Sequence, residues 1–106
     1  MIVIYEERGQ YSDHSITIRG TAASRELAPA ACRYFAARAA DRTGAHWREF
    51  RESDEGRYEQ MPVGTCVVLD RYNHDDEDLQ DARASLYDTV VTWQEVEHLD
   101  LPEDKP

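Results

Sequence analysis

Polar and apolar positions along the chain predict six strands and two helices. Ile2 and Ile4 interleave with Val3 and Tyr5, so the stretch Ile2 to Glu7 carries apolar groups on both faces. That pattern suits a strand covered on both sides or near a sheet centre. After a polar turn over Gly9 to Asp13, His14 to Arg19 alternates cleanly: Ile16 and Ile18 on one face, Ser15, Thr17 and Arg19 on the other. The isoleucines are expected on the buried face, with Gly20 ending the strand and a short turn making the pair an antiparallel hairpin.

The period then changes to that of a helix. Ala28, Cys32, Phe35, Ala36 and Ala39 recur at helical spacing, with Arg33, Arg38 and Arg42 on the polar side. Thr21 and Ser24 are candidate N-caps and Gly44 a stop. Pro29 either distorts a first turn or marks the true start of the helix near Ala28. The alanines let such a helix approach a sheet closely, and Phe35 is expected to pack onto it.

A third strand is expected over His46 to Glu52. A fourth, over Arg57 to Met61, is interrupted by Pro62 and so belongs at an edge. Thr65 to Leu69 reads as a core strand and Thr89 to Glu97 as the last one, with Val91 and Trp93 on one face and Val90 and Val96 on the other. Leu79, Ala82 and Leu86 are spaced for a short acidic helix from about Asp76 to Leu86. Runs of adjacent strands with helices on one face predict a single α+β domain over residues 1–98, its sheet mostly antiparallel with five or six strands. Residues 99–106 form an acidic, proline-containing tail.

Composition adds a charge asymmetry. The chain has 106 residues, enough for one domain, with 41% hydrophobic and 32% charged residues and a net charge of −10. Residues 1–52 carry 8 Arg and 7 acids, whereas residues 53–106 carry 4 bases and 15 acids, a net of −11. The acidic half disfavours direct contact with nucleic acid or an anionic membrane and favours a basic protein surface. Solubility alone is the plainer account of the same excess. No apolar run approaches the roughly 20 residues that span a bilayer. The N-terminus turns acidic too early for a signal peptide. A cytoplasmic protein is expected.

Candidate chemistry is sparse. Cys32 and Cys66 lack metal or redox spacing and read as small buried hydrophobes. The four histidines, His14, His46, His74 and His98, show no zinc-like pairing. The acidic run Asp75, Asp76, Glu77, Asp78 and Asp81, with Asp70 and Asp88 on either side, offers oxygen ligands for a hard cation. Its spacing lacks the central glycine and twelfth-position glutamate of an EF-hand. As a surface, the same carboxylates present rows of negative charge, somewhat as a phosphate backbone does; as a plain helix start they are only solvated. Tyr72, Tyr87 and Trp93 flank the run, and interfaces favour Tyr and Trp anchors within a charged rim. The residues expected to bind a partner are therefore Asp70, Tyr72, Asp75, Asp76, Glu77, Asp78, Asp81 and Asp88. No metal, cofactor or catalytic residue is assigned.

The small size, the acidity, the opening hairpin and the Ala-rich helix together resemble the small inhibitors carried by phages and mobile elements, among them anti-CRISPR proteins. The likeness is one of size, charge and layout, and it transfers no site residue. It implies a non-enzymatic inhibitor that occupies the basic nucleic-acid-binding surface of a target complex. Two other classes fit the same residues: a structural or regulatory domain that dimerises through a sheet edge, and a metal-dependent enzyme using Asp75 to Asp81 with His74.

Overall fold

A computed structural model of the chain describes residues 1–8, 15–43, 46–51, 54, 61–70, 74, 82–85 and 88–97. These form a five-stranded antiparallel sheet with one α-helix against it, as the strand and helix periodicities predict. The strands are β1 (Ile2–Arg8), β2 (Ser15–Ala22), β3 (His46–Glu49), β4 (Cys66–Leu69) and β5 (Thr89–Glu95), and the helix is α1 (Ala28–Thr43). Across the sheet the order is β2-β1-β5-β4-β3. The hairpin β1–β2 forms as expected, and the sequence-distant β5 inserts between β1 and β4.

Side chains alternate across this sheet, so each strand serves two faces. Ile2 and Ile4 of β1, Cys66 and Val68 of β4 and Val91 of β5 meet Ala28, Cys32, Ala36, Ala39 and Ala40 of α1 in the main core. The predicted role of the alanines holds: their small side chains seat the helix directly on the strands. Trp47, Trp93 and Phe35 close the margins of this core. Val67 and Leu69 point to the opposite face and pack with Ala84 in a second, smaller cluster.

Several boundaries differ from the sequence reading. α1 starts at Ala28, after a single 3-10 turn over Arg25–Leu27, so Pro29 is its second residue, where no intrahelical N–H is lost. Gly20 does not end β2, which runs on to Ala22. Instead it lies beneath the Phe35 ring, where a Cβ would come within 3.0 Å of the ring's ζ carbon. β3 stops at Glu49 and β5 at Glu95. The strand expected over Arg57 to Met61 lies largely outside the described residues, as do the tail and most of the acidic helix. The part of that helix that is described, residues 82–85, is not helical. The N–H groups of Ala84 and Ser85 are bonded to carboxylates, of Asp54 at 3.0 Å and Asp88 at 2.8 Å, instead of to carbonyls one turn back.

The orientation of β2 is also reversed from expectation. Ile16 and Ile18 are 56% and 45% exposed, on the face away from α1. Thr17 pairs with Glu6, and a bulge at the Ile4/Tyr5 step places Arg19 where its Nε donates to Glu6 at 2.6 Å. Glu6 is buried on the helix side and also meets Arg42 of α1 at 3.4 Å. A charged acceptor on that side draws the polar residues of β2 toward the helix and turns the isoleucines outward.

Candidate functional site

The acidic connection between β4 and β5 is organised by two buried carboxylates. Asp88 lies just before β5. Its Oδ1 accepts the Asp70 N–H at 3.1 Å, and its Oδ2 accepts the Ser85 N–H at 2.8 Å and sits 2.7 Å from His74 Nε2. Residue 70 follows β4 and residue 88 precedes β5, so Asp88 fastens both ends of the loop that carries the acidic run. Asp88 is 2% exposed, which corrects its expected place on a binding surface. A carboxylate this buried is retained because donors surround it.

Asp54 does the same for the neighbouring connection. The Arg48 guanidinium grips its two oxygens in a fork at 2.8 and 2.7 Å, and the Arg51 and Ala84 N–H groups donate to them at 2.8 and 3.0 Å. Arg48 also donates to the carbonyls of Glu49 and Ala82. This network ties Arg51, Asp54, Ala82 and Ala84 to Arg48 of β3. Burial alone would raise the Asp54 carboxyl pKa. The Arg48 hydrogen bonds, the two backbone donors and the Arg48 charge outweigh it and hold the carboxyl below its usual range.

Of the residues expected to bind a partner, Asp70 is half-buried beside Asp88, with its own N–H in the clamp. Tyr72, Asp75, Asp76, Glu77, Asp78 and Asp81 lie outside the described residues. His74, paired with the same run in the enzymatic reading, is largely enclosed and faces Asp88. Among the described residues, no group of three His, Cys, Asp or Glu side chains converges as a metal site would require. Trp93 is half-buried at the core margin, its indole N–H donating to the Val63 carbonyl at 2.8 Å. Cys32 and Cys66 are unpaired and enclosed in the core, and burial pushes their thiols up to about 11 and about 12.

The described arginines are largely committed to internal pairs. Arg19 and Arg42 meet Glu6, Arg33 meets Glu49, Arg25 meets Glu95 and Arg48 meets Asp54. Among the described residues these pairs bring five arginines onto Glu6, Glu49, Glu95 and Asp54. The two pairs that cross from the first half of the chain to the second mask two of the 15 acids there.

The sequence reading missed an apolar surface on the back of the sheet. Val3, Tyr5, Ile16, Ile18 and Val96 line an open groove of about 260 Å³, with Glu7 and Gln94 at its margin. The signal lies in the branched residues of β2, whose alternation does not say which face is covered. No helix among the described residues is long and apolar enough to cross a membrane. Comparisons with protein families, curated proteins and solved structures find no match for this chain.

Proposed function

We propose that the chain is a non-enzymatic, acidic protein-binding module that docks its second half on the basic surface of a nucleic-acid-binding complex. This is the role of some of the small phage-borne inhibitors that it resembles in size, charge and layout. The observation that carries the reading is the net −11 on residues 53–106, combined with the commitment of five arginines to internal pairs. The chain carries a net charge of −10, and arginines already held in internal pairs are less available to offset it, so the field seen by an approaching partner is acidic.

The two clamps narrow the surface within that half. Asp54 and Asp88 work internally, so docking is assigned to the rest of the expected set: Asp70, Tyr72, Asp75, Asp76, Glu77, Asp78 and Asp81. Asp88 becomes a positioning residue that holds both ends of their loop. The experiment is a competition assay. The partner retained by the immobilised chain at low salt is challenged with duplex DNA. DNA should displace the chain, and a variant with Asp75, Asp76 and Asp78 all changed to Asn should compete less well. A partner that binds chain and DNA together without interference contradicts the reading.

A further inference from the structure

We propose that two copies of this chain associate by pairing their β2 strands antiparallel about a two-fold axis at Thr17, joining the two sheets into one. The inference does not rest on acidic docking and uses a different surface.

Among the described residues β2 is an edge of the sheet, with β1 as its neighbour on one side. The backbone groups directed away from β1 form a row of donors and acceptors suited to another strand. Natural edges are blunted by short length, lysine, proline or inward charge. β2 has eight residues, Ser-Ile-Thr-Ile-Arg-Gly-Thr-Ala, with no lysine, proline or acid. Its one charge, Arg19, is drawn to Glu6 on the helix side. The opposite edge, β3, has four residues and exposes His46 and Glu49. Of the two edges, β2 is the unprotected one among the described residues.

The sequence of β2 is complementary to itself. A two-fold axis at Thr17 sets Ile16 opposite Ile18 of the second copy, and Ile18 opposite its Ile16. Directly opposed β-branched pairs are favourable contacts in antiparallel sheets. Both isoleucines lie on the back face, where they extend the apolar wall formed by Val3, Tyr5 and Val96. Such a patch, rimmed by polar groups, is typical of an interaction surface.

Charge selects a second copy over a basic partner here. Each chain carries −10, yet β2 has no carboxylate and lies in the half whose net charge is +1. Two copies therefore approach at their least acidic surface, against a repulsion that acts from a distance. Salt screens that repulsion and leaves the strand contact intact. Self-association should tighten as salt rises, opposite to docking of the acidic loop on a basic surface.

Sedimentation equilibrium of the full chain tests this across protein concentration, at ionic strengths from about 0.01 to about 1 M, over which the screening length falls from about 30 to about 3 Å. The expected result is a monomer–dimer equilibrium shifting toward dimer with salt. Ile16→Lys combined with Ile18→Lys should abolish the dimer, with the monomer's thermal melt confirming the fold. Thr17→Cys chains should cross-link under mild oxidation, because opposed Cα atoms about 4.5–5.5 Å apart are within disulfide reach. Ser15→Cys chains should not, being offset by about 14 Å along the strands at about 3.4 Å per residue. A chain that is monomeric throughout, a dimer that salt dissociates, or a dimer untouched by the double lysine change overturns the proposal. Cross-linking at 15 in preference to 17 overturns it as well. A monomeric chain that still loses its partner to DNA would leave the acidic-docking reading standing.

Discussion

Gly64 and Gly20 both make close approaches, and they differ in what a methyl group would strike. Gly64 has φ of 96°, a conformation that side chains disfavour, and an added Cβ would lie 2.5 Å from the Pro29 Cα. Gly64→Ala is expected to lower stability by about 1–3 kcal/mol from backbone strain alone, with the clash added. Gly20→Ala meets the tip of a half-buried Phe35 ring that can swing outward, so its effect should stay within about 1 kcal/mol. Thermal melts of the two variants give the comparison. At Asp54 the issue is charge. Arg48→Ala leaves a buried carboxylate without its fork and should cost about 3–5 kcal/mol. The Asp54 carboxyl titrates below its unfolded value of about 3.9. Its contribution is therefore full above that value and is lost as pH falls through the lower folded one. The parent should lose stability on acidification below about pH 4, and Asp54→Asn should flatten that loss. An unchanged acid limb in chemical denaturation series would show that the pair contributes little.

Elements carry most of what could be read from the pattern of residues. β1, β4 and β5 are apolar on both faces or branched throughout, and the alanine period of α1 identifies the face that meets them. The face of β2 could not be read the same way. Alternation separates Ile16 and Ile18 from Thr17 and Arg19, but it does not say which side a helix will cover. The decision came from Glu6, buried on the helix side, which recruits Arg19 and Arg42. The burial of Asp88 is hidden in the sequence for a related reason. Near a run of acids it looks like one more surface charge, whereas its donors come from residues 70, 74 and 85 and only meet in space. The loop they close yields a prediction at this scale. Asp88→Ala strips an acceptor from two backbone N–H groups and His74, and it should cost about 2–4 kcal/mol. Hydrogen exchange should quicken first at Asp70 and Ser85. Uniform exchange across the sheet would mean that Asp88 supports the whole fold and not the loop alone.

At the scale of the molecule, charge and topology divide the surface. Acid accumulates in the half that supplies β4, β5 and the long connection between them. The first half supplies β1, β2 and α1, spends its arginines on internal pairs and presents an apolar back face with an open edge. The acidic surface favours a basic partner, and the apolar edge favours a second copy. In the proposed docking of the loop fastened by Asp88 on a basic surface, exposed carboxylates act mainly by speeding encounter. The most direct test is the association rate constant with the captured partner, measured by stopped flow across ionic strength. Chains with and without the Asp75, Asp76 and Asp78 changes to Asn are compared after melts confirm equal folding. The parent's rate should fall steeply with salt, and the triple variant should associate more slowly with a flatter salt dependence. Equal rates and equal slopes for the two chains would contradict it.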